Sequence, residues 1–233
     1  MIHIKSLYKI TKWVVVAFFA TTILSVMLLR FVPVYYTPLM FIRVAEQISN
    51  GKDMKIHHKW ISLDDMPLNM VKAAIASEDA RFLEHNGFDI DAIKKAVEHN
   101  RTKRSKHGGS TISQQTAKNV FLWPSRSWFR KGLEAYFTVL IELMWSKQRI
   151  IEVYLNSIEM GDGIYGVYSV ADRHFHCEPQ KLSKRQCALI AASFPNPRKF
   201  KSDSPSSYMR KRQGWIISEM RFVNIDKEWV EDR

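Results

Sequence analysis

Two glutamates stand where helical spacing calls for apolar side chains. In "IASEDARFLEHNG", residues 75–87, the stripe Leu68, Val71, Ile75, Glu78, Phe82 follows the three-and-four rhythm of a buried helix face, and four of its five members are apolar. Glu134 sits in the most apolar helical stretch of the chain, with Phe137 and Ile141 at i+3 and i+7, Arg130 one turn before it and Lys131 close by. A carboxylate in such a place is either an ion-paired structural group or one whose pKa is raised by desolvation and is ready to take a proton. Asp79 points to a different face from Glu78 and could orient a neighbour, whereas Glu142 reads as a member of a structural ion pair.

A third element is "GGSTISQQTAKN", residues 108–119. It lacks the glycine-lysine-serine of a Walker loop. Its glycines nevertheless run into a helix N-terminus, where free N–H groups attract phosphate. With a start near Ser110, the side chains of Thr111, Gln115 and Lys118 stand at i, i+4 and i+7. A hydroxyl, an amide and an ammonium in line can grip a sugar diphosphate, or they can be a solvated helix face. Two separately placed glutamates resemble the paired carboxylates of enzymes that act on glycosidic bonds. "HFHCE", with His174, His176, Cys177 and Glu178, hints at zinc, but no second ligand pair lies at the customary spacing, and His57, His58 and His85 lack partners too. No protein metal site is expected.

The elements that must position these groups are helical. A helix beginning near Pro67, capped by Asp64 or Asp65, carries the opening stripe and should end at Asn86-Gly87. "DIDAIKKAVEHN" is a second helix, "RTKRSKHGGS" a basic loop, and "STISQQTAKNVFLW" a third helix. "RKGLEAYFTVLIELMWSKQRIIEVYLNSIEMG" reads as one long helical stretch, apolar almost all round from Leu133 to Trp145, and such a segment belongs inside a protein. "LSKRQCALIAASFPNP" is a helix stopped by Pro195 and Pro197, and strand patterns are scarce.

The chain of 233 residues carries a formal charge of +12 and a pI near 9.7, which suits an anionic partner. Its N-terminus narrows the field. "WVVVAFFATTILSVMLL" is uncharged and follows Lys5, Lys9 and Lys12, so residues 13–32 read as a membrane-spanning helix with residues 1–12 in the cytoplasm. Residues 33–59 are a membrane-proximal connector and 60–233 a mainly α domain on the far side. Membrane lipid and a phosphorylated substrate become the expected partners, with no nucleic acid. Cys177 and Cys187 lie in the exported part, where a disulfide is chemically allowed, although Cys187 falls at an apolar helix position that suits a free thiol.

"EDARFLEHNG", "GGSTISQQTAKN", "RKGLEAYFTVLIE", "RIIEVYLNSIEMGDGIYGV" and "QCALIAASFPNP" follow one another in the order of the five motifs of glycosyltransferase family 51, the peptidoglycan glycosyltransferases. The resemblance runs from Ile75 to Pro197 and is closest to the family's monofunctional type with one anchoring helix. It implies a lysozyme-like fold of a larger helical lobe and a smaller membrane-embedded lobe. It also implies polymerisation of lipid II at the bacterial inner membrane, with the catalytic domain in the periplasm and lipid II, the growing glycan strand and other wall-synthesis proteins as expected partners. By the same resemblance Glu78 is the base and Glu134 the second essential glutamate. Asp79, Phe82 and His85 shape the surroundings of Glu78, and Ser110, Thr111, Gln115, Lys118, Asn119, Arg130 and Lys131 hold sugar or diphosphate. No cofactor is required, though magnesium or manganese could sit on the diphosphate. No KTG of a transpeptidase is present. Two departures stand out: His174 and His176 occupy places usually held by tyrosine and glycine, and Gln186 one commonly held by glutamate. The rival readings are a lytic transglycosylase or lysozyme-like hydrolase, and a non-catalytic membrane-anchored wall-binding module.

Overall fold

The computed structural model describes residues 2–102 and 108–231. Most of the basic loop expected between Arg101 and His107 lies outside the described residues. The chain forms two compact units, Met1–Pro33 and Val34–Arg233.

The first unit is a single helix, α1 (Ile2–Leu29). Its Ser6–Leu29 portion is long and apolar enough to cross a membrane. The hydroxyls of Thr21 and Thr22 donate to the carbonyls of Ala17 and Phe18 at 2.7 and 2.8 Å, so the polar groups of this apolar helix are satisfied within it. Helix α1 starts before the expected residue 13 and stops at Leu29, short of residue 32, because the chain turns at Arg30 ahead of Pro33.

The second unit is built from α2 (Pro38–Ser49), α3 (Leu68–Glu78), α4 (Ile90–Thr102), α5 (Ile112–Phe121), α6 (Trp128–Met144), α7 (Lys147–Ser157), α8 (Gly166–Phe175), α9 (Lys184–Ser193), α10 (Ser207–Glu219) and α11 (Lys227–Glu231). A small sheet of β1 (His57–His58), β2 (Glu159–Gly161) and β3 (Ile164–Tyr165) has the order β1-β3-β2, with β1 parallel and β2 antiparallel to β3. Helix α7 is buried on all sides, from Ile150 through Ser157, and forms the axis of the core. Helices α3 and α9 pack against each other, and both are rich in buried alanines, small side chains that let backbones approach.

Three sequence expectations need correction. Helix α3 ends at Glu78, eight residues before Asn86, because Asp79 leaves the helical region (φ −161°, ψ 72°). The long stretch after Arg130 is two helices, broken at Trp145–Ser146, where Ser146 caps α7 by accepting from Arg149 N. Helix α6 is also not interior all round: Glu134, Phe137, Thr138 and Ile141 are buried, but Trp128 and Leu143 on its outer side are 91% and 77% exposed. Helix α6 lies at the edge of the domain, with neighbours among the described residues on the Glu134–Ile141 side alone.

The two departures from the motif pattern have local explanations. His176 caps α8 at φ +49°, the left-handed backbone that glycine adopts without steric cost. Gln186 completes a capping box, its Oε1 accepting from Ser183 N at 2.8 Å, a role glutamine fills as well as glutamate. His174 hydrogen bonds Ser202 Oγ through Nδ1 at 2.7 Å and packs beside Gly161. Cys177 and Cys187 are both free thiols, and burial pushes the Cys187 thiol up to about 12.

Candidate active site

The end of α3 and the start of α5 are fastened by a closed ring of hydrogen bonds. Asp79 Oδ2 accepts from Ile112 N at 3.0 Å, placing a carboxylate on the first free amide of α5, where the helix dipole favours negative charge. Its Oδ1 lies 2.9 Å from His85 Nε2, and His85 Nδ1 accepts from Gly87 N at 3.1 Å. That pattern puts the ring proton on Nε2. The ring closes through Thr111, whose Oγ1 donates to Gly87 O at 2.7 Å while capping α5 in a box with Gln114. Gly87 has φ +89°, and a Cβ there would meet Thr138 Cγ2 at 2.8 Å, so glycine is required. Lys147 secures the same loop, donating to His85 O at 2.6 Å and lying 4.6 Å over the Phe82 ring.

This ring decides which expected site residues reach the cleft. Asp79, Phe82 and Thr111 are buried within it, as is most of His85, so they position the site and do not face it. Thr111 precedes the first turn of α5 instead of sharing a face with Gln115 and Lys118. Ser110 lies exposed just before the cap. Glu142 is held by Ser113 and by Lys147 at 2.9 Å, the structural pair expected of it.

Gln115, Lys118 and Asn119 face a cleft of about 450 Å³ between α2, α5, α7 and the segment 122–126. Glu78 adjoins it through Gln115. Gln115 Nε2 donates to Glu78 Oε2 at 3.0 Å, and Tyr154 OH donates to Gln115 Oε1 at 3.3 Å. Burial first, then Glu78 and Asp79, push the Tyr154 phenol well above its usual range, so it acts as a neutral donor. The side chain of Glu78 is 14% exposed, and Arg212 lies 3.6 Å from its Oε1. Its surroundings are therefore polar and partly open, not the dry apolar stripe suggested by spacing, because it is the last residue of its helix and not a member of a continuing core face.

Glu134 contrasts with it. Its side chain is 3% exposed, Arg130 Nη1 lies 2.5 Å from Oε2, and Lys131 Nζ engages Oε1. Arg130 also donates through Nε to Ser125 O at 2.6 Å, which fixes the cleft-lining segment. Lys118 feels the charge of both carboxylates. Burial lowers its pKa most; Glu134 pulls it back up, Arg130 and Lys131 lower it further, and Glu78 raises it. Lys118, Arg126, Arg130 and Arg43 bring positive charge to one cavity. No group of three His, Cys, Asp or Glu side chains is placed for a metal ion among the described residues, and both Glu134 oxygens are occupied by cations, so a resident metal does not fit here.

Several participants carry no sequence signal that spacing could detect. Arg43 and Glu159, 116 residues apart, meet at 3.3 Å on the cleft wall, and Tyr154 reaches Gln115 from the core helix.

A helical domain thus carries a desolvated lysine and a cluster of cations in one cleft, with a carboxylate adjoining it through Gln115. The family model described as Transglycosylase matches residues 45–221. The chain belongs to the transglycosylase family, enzymes of glycosyl transfer with a lysozyme-like domain. It is 54% identical, over 99% of its own length and 94% of the relative's, to a protein of Bacteroides thetaiotaomicron named biosynthetic peptidoglycan transglycosylase. Proteins of the same name from Bdellovibrio bacteriovorus (50% identity, 90% and 85% coverage) and Pseudomonas aeruginosa (44%, 93% and 91%) are similar over most of their lengths.

Proposed function

We propose that this enzyme is a peptidoglycan glycosyltransferase that polymerises lipid II during cell-wall synthesis. Glu78 takes the proton of the acceptor's sugar 4-hydroxyl as that oxygen attacks the anomeric carbon of the growing strand. The new bond is β-1,4; the α-linked C–O bond to the undecaprenyl diphosphate breaks, and its electron pair leaves on the diphosphate oxygen. Attack opposite the leaving group gives inversion. Lys118 and Arg130 meet the charge developing on that oxygen, and Glu134 holds Arg130 and Lys131 for the purpose. Lys118 is the sharpest case: its desolvated ammonium gains most from a dianionic partner, because little water competes for it.

The observation that carries this reading is Lys118, set in one cleft within the electrostatic reach of both Glu78 and Glu134. A base alone would serve a hydrolase; a buried cation cluster beside it suits a diphosphate leaving group. No step is routed through a divalent ion. The apolar span of α1 and the exposed Trp128, Phe129 and Leu143 of α6 support placement at the bacterial inner membrane, with a cytoplasmic N-terminus and a periplasmic domain. Lipid II, the growing glycan strand, membrane lipid and other wall-synthesis proteins are the partners this reading names.

The test is purified full-length protein with lipid II in detergent, with products resolved by size. Long glycan strands are the expected result. Cleavage of finished glycan without polymerisation would assign a lytic enzyme instead.

A further inference from the structure

Helix α10 lies beyond the last of the five motifs, yet it sends one side chain to the candidate base. Arg212 Nη2 donates to Ser77 Oγ at 3.0 Å and lies 3.6 Å from Glu78 Oε1. Ser77 Oγ in turn lies 3.1 Å from Glu78 Oε1 and 3.3 Å from Ala191 O. Its single O–H can serve only one of these at a time, and with Arg212 occupying the oxygen's acceptor side the hydroxyl is held between them. Helix α10 packs against both α9 and α3, which brings the guanidinium to this spot.

We infer that Arg212 is a positioning residue for the transfer reaction, holding Glu78 as an oriented carboxylate through Ser77 and through its own charge; this rests on Glu78 acting as the base. Three observations support it. Glu78 is the last residue of α3, and the C-terminal end of a helix is the end that disfavours an anion. Arg212 is the only cation within 4 Å of Glu78 among the described residues, so it supplies the compensating charge. Arg212 also leaves its Nε–H buried without a hydrogen-bond partner. An arginine placed only for stability would rarely keep an unmet donor, which is costly. Gln115 fixes one carboxylate oxygen from α5, while Ser77 and Arg212 fix the other from the opposite side. The carboxylate plane is thereby set, and a misplaced base loses rate without losing substrate affinity.

The experiment compares Arg212→Met, Arg212→Lys, Ser77→Ala and the double Ser77→Ala/Arg212→Met in lipid II polymerisation, with Tm measured for each. Arg212→Met should lower kcat by about 10- to 100-fold with KM within about twofold. Arg212→Lys should recover most of that loss, since the charge returns without the second donor. The Ser77→Ala effect should be smaller and should not add to that of Arg212→Met. A rise in KM at unchanged kcat would assign Arg212 to substrate binding and overturn the inference. So would a lysine variant no better than methionine, with activity tracking loss of folded protein. If Arg212→Met does not fold, Arg212→Lys and Ser77→Ala still give the kcat and KM split. Glu78→Gln is run in parallel: an inactive Glu78→Gln beside a fully active Arg212→Met sinks only this inference, whereas an active Glu78→Gln sinks the base assignment itself.

Discussion

The two glutamates differ in what surrounds them, and that difference separates their work. Glu78 ends a helix, is 14% exposed beside Gln115 of the cleft, and is held mostly by neutral donors, Gln115 and Ser77, with one arginine at 3.6 Å. Glu134 lies mid-helix, is almost wholly buried, and has both oxygens engaged by Arg130 and Lys131. A carboxylate already neutralised by two cations is a poor proton acceptor but a good anchor for those cations. One with access and spare lone-pair capacity can receive a proton from an incoming hydroxyl. In the proposed mechanism the same residue type serves as base in one place and as scaffold for positive charge in the other.

The comparison breaks most directly at Glu78. Glu78→Gln keeps the size and an acceptor for Gln115 but removes the basic site, so polymerisation should fall by at least about 10³-fold while Tm moves by only a few degrees. Appreciable turnover by this variant would remove the base role. Glu134→Gln should behave in the opposite proportion. It leaves Arg130 buried and underpaired, so a loss of a few kcal/mol in urea unfolding is expected. A fall in kcat of about 100-fold from misplaced cations should accompany it. Wild-type stability with abolished activity would make Glu134 a direct participant in chemistry instead.

Lys118 sharpens the comparison through pH. Because burial lowers its pKa, its positive charge is complete on the acid side and is lost as pH rises at a lower value than for an ordinary lysine. KM for lipid II should therefore climb on the alkaline side. Lys118→Arg, which stays charged, should move that climb to higher pH. An unchanged alkaline limb would mean that Lys118 does not hold the diphosphate. The smallest effect is a control far from both carboxylates in role. His176→Gly relieves the left-handed strain at φ +49° and should raise stability by about 1 kcal/mol with polymerisation per folded molecule unchanged, measured by urea unfolding alongside the lipid II assay.

Much of the site was legible before any fold was known, though for mixed reasons. Thr111 with Gln114 is a local capping box, written in four consecutive residues, and it starts α5 at Ile112, two residues after the Ser110 start expected from the sequence. Gln115 and Lys118 share a face because of helix geometry alone. The spacing that singled out Glu78 misread its setting: the stripe continues on paper to Phe82, but Asp79 turns away to cap α5, a partner 33 residues later. Helix α6 was misjudged because periodicity counts apolar side chains without knowing how much protein is available to cover them. Nothing local foretold Arg212, Arg43, Glu159 or the Lys147 contact to the 79–87 loop, since each depends on a neighbour from a distant part of the chain.

The sequence by itself marked the helical segments, the apolar anchor-length segment and the order of motif residues, because these rest on local spacing and composition; the end of α3, its start without the expected Asp64 or Asp65 cap, and the break between α6 and α7 did not follow from it. Which carboxylate would be clasped by two cations and which would be held by Gln115 beside the cleft was decided only when α3, α5, α6 and α10 packed together. Exposure and charge pairing belong to the sum of all neighbours in space, and the fall of Coulomb energy with distance makes the nearest few decisive.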